Sequence, residues 1–257
     1  MTLALAAMEY GEGPPLAILH GLFGSGRNWA SISKRLAAHH RVIAFDLRNH
    51  GGSPWADRMD YADMAEDVRA SLKTRGYEQF AVLGHSMGGK VAMMAALQYL
   101  DAVERLVIAD IAPVTYPMRH LVEAQAMRRL DLARIARRSQ ADAALAAAVP
   151  DADERGFLLQ NLIFENGGAR WRVNLDAVEQ NMGRLADFPA MLEGRAYDRP
   201  AFFIGGARSD YVRPEHEPVI RRLFPKAEIA RIENAGHWLH AEQPAAFLAI
   251  VEPFLNR

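Results

Sequence analysis

The chain has 257 residues, and half of them are hydrophobic, which is enough to bury one large α/β core. Its 30 basic and 31 acidic side chains give a net charge of −1, so it lacks the basic surplus of nucleic-acid-binding proteins. Because of this charge balance, we expect no nucleic-acid partner. The chain has no cysteine, which excludes disulfides, thiolate nucleophiles and cysteine-ligated metals.

Short apolar runs predict the strands of a mostly parallel sheet. The first run, TLALAAM at the amino terminus, is too short for a membrane span and lacks the basic leader of a secretory signal. Later runs are continuous rather than alternating, as in strands covered on both faces, and helix-like segments separate them. They are 16–19, 42–45, 80–83, 106–109, 201–204 and 229–232. We predict an α/β fold of about eight strands with helices on both faces, in a cytoplasmic protein without a membrane partner.

The stretch from 115 to 197 interrupts this alternation. It carries helix-like patterns without a convincing strand, and prolines lie near both of its ends. The segment that connects the two flanking strands is far longer than the connections usual in compact α/β units. We therefore predict a core made of residues 1–114 and 198–257, with residues 115–197 inserted as a helical cap.

The sequence GHSMG, residues 84–88, fits the G-x-S-x-G nucleophile elbow, in which a sharp turn joins a strand to a helix. An apolar strand precedes it, and a helix is predicted to follow from Lys90 to Gln98. Glycine is needed at both ends of the turn because side chains there would meet neighbouring main chain. We predict Ser86 as the nucleophile and the Met87 amide, at the helix start, as an oxyanion donor. The alternative is a simple tight turn.

The motif NAGHWLHAEQP contains His237, our predicted general base, and Trp238, which we expect to line the site. It follows the last apolar run, and an order with serine first and histidine last is typical of hydrolases with this elbow. We predict that His20 and His85 shape their turns and that three other histidines lie at the surface: His39, His40 and His120. No H-E-x-x-H motif occurs, so we assign no metal.

The motif HGLFGSGRNW, residues 20–29, lies between a strand and a helix. Its histidine-glycine pair fits a loop that supplies a second oxyanion amide, for which Leu22 is the candidate, with Phe23 lining the site. A dinucleotide loop is an alternative, built on Gly21, Gly24 and Gly26 with Asp46 as the ribose-binding acid. The spacing does not match G-x-G-x-x-G, and this alternative leaves both the elbow and His237 unexplained.

The acid that would orient His237 has three candidate positions, Asp110, Ser209 and Asp210, because a triad is defined by geometry rather than by sequence position. The motifs HGLFGS, DLRNHGGS, GHSMGG, DIAPV and GHWLHAE resemble those of the α/β-hydrolase superfamily, especially its small bacterial carboxylesterases and acyl thioesterases. The resemblance covers nearly the whole chain and is least specific in the cap.

In many members of that superfamily the acid follows a strand-terminal glycine by three residues. Counted from Gly206, that position is Ser209, and Asp210 comes one residue late. Esterases that share DIAPV take the acid from the preceding strand end, which implies Asp110 here, with the Ser209 hydroxyl assisting. We favour Asp110 and keep Asp210 as the alternative.

The resemblance implies a serine hydrolase that cleaves carboxylic esters or acyl thioesters, including acyl-coenzyme A, through an acyl-enzyme. Serine, imidazole and backbone dipoles supply this chemistry, so we expect no cofactor. The same residues suit carbon-carbon bond hydrolysis, lactone opening or perhydrolysis, because fold and triad do not fix the acyl partner. An alternative of another class is a non-catalytic protein that binds a small ligand. The sequence leaves the oligomeric state open.

Two sets of cap side chains are further candidates for substrate contact. Six arginines could attract a carboxylate- or phosphate-bearing acyl group, although a solvated helix face is the simpler explanation. They are Arg119, Arg128, Arg129, Arg134, Arg137 and Arg138. Four methionines would give an adaptable apolar lining, and ordinary packing explains them equally well. They are Met118, Met127, Met182 and Met191.

Overall fold

A computed structural model describes residues 1–165, 167–189 and 194–257. The strands form one seven-stranded sheet in the order β1-β3-β2-β4-β5-β8-β9 and a separate hairpin of β6 and β7. Their bounds are β1 Ala7–Tyr10, β2 Pro15–Leu19, β3 Arg41–Phe45, β4 Phe80–His85, β5 Val103–Ala109, β6 Leu162–Glu165, β7 Gly168–Trp171, β8 Ala201–Gly206 and β9 Ala227–Ile232.

Helices alternate with these strands along the chain. The α-helices are α1 Ala30–Leu36, α2 Tyr61–Lys73, α3 Met87–Gln98, α4 Leu121–Arg129, α5 Arg138–Leu145, α6 Ala152–Leu158, α7 Leu175–Ala186, α8 Glu217–Leu223, α9 Leu239–Glu242 and α10 Pro244–Leu255. Short 3₁₀ turns lie at Gly26–Trp29, Leu132–Arg134, Leu159–Asn161 and Pro214–His216. In the part of the chain that the structure describes, no helix combines the length and apolar character required to cross a membrane.

Strand direction brings the chemically interesting loops together. Only β1 runs antiparallel to its neighbour, β3, whereas the other pairs in the large sheet are parallel. The carboxyl ends of β2, β4, β5, β8 and β9 therefore lie at one edge of the sheet. Parallel open sheets bind ligands at this edge.

The number of strands differs slightly from the sequence prediction. The large sheet has seven strands within the described residues, not about eight. Its first strand also begins later than the apolar run TLALAAM suggests. In a longer strand, the backbone amides of Leu3 and Leu5 would donate hydrogen bonds to a neighbouring strand. Here they donate to side chains of α2 instead, Leu3 to Asp67 Oδ1 at 2.7 Å and Leu5 to Ser71 Oγ at 3.0 Å.

The sheet is buried on both faces, as the continuous apolar runs predict. Along β2, Leu16 and Ile18 point to one face of the sheet and belong to the same core as Trp29 and Phe247. The intervening residues of β2 pack on the opposite face with α2 and α3. Successive side chains of the strand thus enter two different cores. Because both faces are buried, the strand does not alternate between apolar and polar residues.

The segment from 115 to 197, which we call the cap segment, contains α4 to α7 and also the hairpin β6–β7. The prediction that it has no strand is wrong. Each hairpin strand has four residues, and Phe164, Glu165 and Gly168 are exposed, so no buried periodic pattern marks them. Gly167 supplies a φ of 81° at the turn, where glycine is favoured.

Candidate active site

Ser86 lies at a sharp turn between β4 and α3. Its φ of 51° and ψ of −120° are strained for a residue with a side chain. The Ser86 amide donates to the carbonyl oxygen of Ala109 at 3.0 Å, which ties the turn to β5. Helix α3 begins at Met87, directly after the serine, rather than at Lys90 as the sequence pattern suggests.

The glycines around Ser86 are required by close backbone approach. A Cβ atom at position 84 would lie 2.2 Å from the carbonyl oxygen of Gly88, and one at position 88 would lie 2.4 Å from that of Leu19. Backbone atoms cannot move aside as a flexible side chain can. The steric reason predicted for the G-x-S-x-G motif therefore holds at both glycines.

Ser86, His237 and Asp110 form a continuous hydrogen-bonded chain. His237 Nε2 lies 3.0 Å from Ser86 Oγ, and His237 Nδ1 lies 2.7 Å from Asp110 Oδ2. The ionised carboxylate can only accept, so Nδ1 carries the proton and Nε2 presents its lone pair to the serine hydroxyl. The Asp110 side chain is fully buried, whereas the imidazole is 18% exposed.

Asp110 is held by groups from the neighbouring strand. The Gly206 amide donates to its Oδ1 at 3.0 Å, and the Ser209 hydroxyl donates to the same Oδ2 that accepts from His237. Asp110 itself has a φ of 52°, an uncommon conformation for a residue other than glycine. Both carboxylate oxygens are thus fixed before a substrate arrives.

Asp210 points to a different partner. Its carboxylate accepts from Arg119 at 2.7 and 2.5 Å, and its side chain is 51% exposed. The hydrogen bond from Arg119 lowers the pKa of Asp210 below its usual value. The structure therefore brings Asp110, and not Asp210, to His237.

Two residues that the sequence analysis did not assign to the site hold His237 in place. His85 Nε2 lies 2.8 Å from the His237 carbonyl oxygen, which can only accept, so Nε2 carries the proton. Burial lowers the pKa of His85 well below its usual value and keeps this ring neutral. The Tyr211 ring stacks on the His237 imidazole, with centroids 4.1 Å apart and an angle of 23° between planes.

The loop after β2 lies directly against the nucleophile. A Cβ atom at Gly21 would lie 3.2 Å from Ser86 Cβ. The Phe23 amide is already used, because it donates to His50 Nε2 at 3.2 Å. By contrast, the Leu22 and Met87 amides have no acceptor recorded within the described chain. Both amides are therefore available at the cavity walls that adjoin Ser86.

Two cavities meet at Ser86. We call the first the His237 cavity. Its lining includes Phe23, Glu154, Phe157, His237 and Trp238. We call the second the Lys90 cavity. Its lining includes Met87, Lys90, Tyr116, Arg119 and Met182. The positions predicted to line the site, Phe23 and Trp238, thus share one cavity.

Two of the three histidines predicted at the surface are not there. His39 is exposed, but His40 is buried, and His120 is half-buried and lines both cavities. The ring of His120 packs edge-on against Phe23, with centroids 6.3 Å apart. Burial lowers the pKa of His120 to about 4, so the ring is neutral near pH 7. Its position comes from folding of the cap segment over the loop after β2, which no local pattern reveals.

The other cap candidates divide into lining and packing residues. Met118 and Met182 line the Lys90 cavity, whereas Met127 is fully buried in the hydrophobic core. Met191 lies outside the described residues. Of the six arginines proposed for anion attraction, Arg119 alone lines either of these cavities in the part of the chain that is described.

One cluster in the cap segment has ligand atoms that could hold a metal ion. The side chains of His120, Glu123 and Glu154 place these atoms within 4.8 Å of one another. Burial raises the pKa of both glutamates. Protonation could therefore neutralise their charge without a metal ion. The cluster combines two helices, which explains why no sequence motif marks it.

Asp46 does not have the role that a dinucleotide site would require. Its Oδ1 accepts from the Gly26 amide at 2.8 Å, and its Oδ2 accepts from the Gly52 amide at 2.7 Å. Both oxygens therefore order the neighbouring loops. This arrangement leaves the glycines after β2 to shape the wall beside Ser86.

Comparison with known proteins identifies the family. The model of the "alpha/beta hydrolase fold" family matches residues 14–244. The chain belongs to this family. As an α/β hydrolase it is similar to the mouse (Mus musculus) "sn-1-specific diacylglycerol lipase ABHD11", at 41% identity over 250 residues, with 94% of this chain and 81% of that protein covered. The resemblance stated from the motifs is confirmed, as is the predicted fold class.

Further similarities include enzymes named as esterases. "Esterase YbfF" from Escherichia coli (strain K12) is 32% identical over 254 residues, covering 98% of this chain and 97% of that protein. A solved structure called "Marine microorganism esterase" superposes with a TM-score of 0.95 at 37% identity, covering 98% of this chain and 100% of that one. The α/β hydrolase described here is thus similar over nearly its whole length to proteins named as esterases and as a lipase.

Proposed function

We propose that the protein is a serine hydrolase that cleaves carboxylic esters through an acyl-enzyme. The observation that carries the proposal is the hydrogen-bonded chain from Ser86 through His237 to the buried carboxylate of Asp110. Relatives named as a diacylglycerol lipase and as esterases support esters as the substrate class.

In the first half-reaction, Ser86 Oγ attacks the ester carbonyl carbon while His237 Nε2 takes the hydroxyl proton. Asp110 stabilises the resulting imidazolium and holds the ring. The Leu22 and Met87 amides donate to the oxyanion of the tetrahedral intermediate. The bond to the alcohol oxygen then breaks, and this oxygen takes the proton from Nε2. The products are an acyl-serine and a free alcohol.

In the second half-reaction, water repeats the same sequence on the acyl-serine. His237 takes a proton from water, the hydroxide oxygen bonds to the acyl carbon, and the proton returns to Ser86 Oγ as the acid leaves. No further group has to supply electrons or protons. Removal of one oxyanion donor costs roughly 10²–10³ in turnover in other enzymes, so each of the two amides matters.

We assign Ser209 a positioning role rather than a role in covalent chemistry. Its hydroxyl donates to Asp110 Oδ2, which orients the carboxylate beside the Gly206 amide. Asp210 would have to leave its ion pair with Arg119 to serve as the acid. Asp110 needs no such movement.

We also propose that the cap segment forms a substrate-binding cap over the sheet edge. It supplies Glu154 and Phe157 to the His237 cavity and Met182 to the Lys90 cavity. In this proposal they would contact the groups on either side of the ester bond. Acyl thioesters, including acyl-coenzyme A, fit the same covalent route, because a thiolate leaving group needs less proton transfer than an alcohol.

The proposed function is tested with a panel of p-nitrophenyl esters and coenzyme A thioesters of graded acyl length. We expect hydrolysis of carboxylic esters by the wild-type protein and a loss of about 10³-fold or more in Ser86→Ala. Ser33→Ala is the matched control, since Ser33 is a buried serine of α1 that lines neither cavity. Full activity in Ser86→Ala, or inactivity of the wild type on the whole panel, would refute the proposal.

A further inference from the structure

A lysine is buried one helical turn after the nucleophile. Lys90 is 1% exposed, yet it lines the cavity that adjoins Ser86 and Met87. Its Nζ donates to the carbonyl oxygens of Ala186 at 2.9 Å and Asp187 at 2.7 Å, at the end of α7. An ammonium group carries three N–H donors, so these bonds leave one for a further acceptor.

No carboxylate of the described residues forms a salt bridge with Lys90, although the nearby charge of Asp187 partly offsets the effect of burial on the pKa of Lys90. Its recorded hydrogen bonds reach carbonyl oxygens, and the Asp187 side chain is exposed and accepts from Thr115 instead. A buried charge without an opposite charge is unfavourable. An anion that enters the Lys90 cavity would therefore gain a strong, desolvated interaction.

The charged side chains that line the two cavities at Ser86 differ in sign, although Arg119 is also paired with Asp210, which lines neither cavity. The described lining of the Lys90 cavity contains Lys90 and Arg119 and has no aspartate or glutamate. The described lining of the His237 cavity contains Glu154 and has no lysine or arginine. Charge complementarity of this kind selects the orientation of a ligand. Lys90 thus favours an anionic group on one side of Ser86, and the described lining of the other side offers no lysine or arginine to pair with one.

The reaction determines which part of an ester enters each cavity. The leaving oxygen must reach His237 Nε2, which returns the proton to it. His237 lines the cavity that contains Glu154, whereas the Met87 amide lines the cavity that contains Lys90. The alcohol part therefore enters the His237 cavity, and the acyl chain extends into the Lys90 cavity.

We infer that the Lys90 cavity binds acyl groups that end in a carboxylate, so that monoesters of dicarboxylic acids are preferred substrates and Lys90 is the specificity-determining residue. This inference rests on the proposed function, since the ester carbonyl must lie at Ser86. It assigns Lys90 a contact with the substrate in addition to its bonds with the end of α7.

The test compares p-nitrophenyl hydrogen adipate with p-nitrophenyl hexanoate, two esters of equal acyl length that differ in the terminal carboxylate. In the wild type, kcat/KM should be higher for the adipate monoester. Lys90→Met keeps the length of the side chain without its charge. It should lower the adipate-to-hexanoate ratio of kcat/KM about 10-fold or more.

Arg138→Met is the matched control. Arg138 also donates to carbonyl oxygens of the cap segment, those of Leu159 and Leu162, but lines neither cavity. Its substitution should leave the ratio unchanged. A wild-type preference for the hexanoate ester, or equal losses on both esters in Lys90→Met, would overturn the inference and reduce Lys90 to an anchor for α7.

Calorimetric binding provides a second measurement that does not depend on turnover or on the folding of Lys90→Met. Titration of the Ser86→Ala protein should give an affinity for p-nitrophenyl hydrogen adipate about 10-fold or more above that for p-nitrophenyl hexanoate. Equal affinities would overturn the inference even if ester hydrolysis is confirmed. Failure of the proposed function has a different signature, namely absence of hydrolysis of both esters by the wild type.

Discussion

Asp110 determines at the residue scale how His237 is oriented. It is fully buried, and its oxygens accept from His237, Gly206 and Ser209. Replacement of one carboxylate oxygen by an amide nitrogen would turn an acceptor into a donor opposite the Nδ1 proton. The ring would then adopt the other tautomer and lose the base that faces Ser86.

We predict that Asp110→Asn lowers kcat by about 10³–10⁴-fold on the best ester of the panel. Asp210→Asn should change kcat by no more than about 3-fold, because an exposed ion pair contributes little. Circular dichroism and thermal melts of both variants check that the fold is retained. A larger loss in Asp210→Asn than in Asp110→Asn would transfer the acid assignment to Asp210.

Sequence motifs predicted Ser86 as the nucleophile and His237 as the base, and the family resemblance favoured Asp110 as the acid without excluding Asp210. The strands β5 and β8 are neighbours, so a carboxylate after either strand could reach the same imidazole. Only the distances, and the exposed pairing of Asp210 with Arg119, distinguish them. Lys90 had a weak signal, as a single charge in the apolar stretch KVAMMAALQ, but its contact with α7 depends on the cap segment.

The ionisation of Lys90 gives the inferred specificity a pH dependence. Burial lowers the pKa of Lys90 to about 7, so the amine loses its charge as the pH rises through this value. The surrounding groups keep one charge state: Tyr61 of α2 and Tyr116 stay neutral because burial raises their pKa, and His120 is neutral. Asp187, Arg119 and Asp210 remain charged, with hydrogen bonds favouring their charged forms.

We therefore predict that the adipate-to-hexanoate ratio of kcat/KM falls as the pH rises through about 7. A pH effect on a group that acts on both esters alike cancels in the ratio. The measurement is a pair of pH profiles from pH 5 to about 9, with Lys90→Met as the control whose ratio should stay flat. A wild-type ratio that does not change with pH would contradict this role for Lys90.

At the scale of elements, the turn from β4 into α3 is fixed by sterics. Methyl groups at the glycines would meet backbone atoms of β2 and of α3 itself. Insertion of atoms into such a site forces backbone shifts, with a cost of typically 1–3 kcal/mol. The strain at Ser86 leaves little room for such shifts without loss of the hydroxyl position.

We predict that Gly88→Ala lowers the free energy of unfolding by about 2 kcal/mol or more and reduces ester hydrolysis sharply. Gly183→Ala is the matched control, because Gly183 lies within α7 and a Cβ there has open space. That substitution should raise the free energy of unfolding by about 0.5–1 kcal/mol. Denaturant titration measures both, and equal effects would contradict the steric account of the elbow.

Elements with long buried patterns were predicted well, and short exposed ones were not. The central strands are continuous apolar runs, so their positions were evident. The hairpin β6–β7 has four-residue strands with exposed side chains, and its pairing is set by contacts within the cap segment. Helix α3 begins at Met87, three residues before the predicted start at Lys90, because the strained Ser86 serves as its N-cap residue.

At the scale of the whole molecule, the cap segment and the sheet edge enclose the site together. Asn161 Nδ2 donates to the Phe23 carbonyl oxygen at 2.7 Å, and Tyr61 donates through its hydroxyl to Leu185 at 2.6 Å. The first bond holds the cap segment over the loop that carries Leu22, and the second holds it against α2. The opposite charges of the two cavities arise from residues of different elements, so no linear motif could predict them.

Covalent labelling with a fluorophosphonate, followed by intact-mass and peptide mass spectrometry, tests the central claim most directly. The probe needs a serine hydroxyl activated by a neighbouring base, which is the state that the distances among Ser86, His237 and Asp110 imply. The account predicts one adduct on the wild type, located at Ser86 and absent from Ser86→Ala. No labelling of a folded wild-type protein, or labelling that persists in Ser86→Ala, would contradict it.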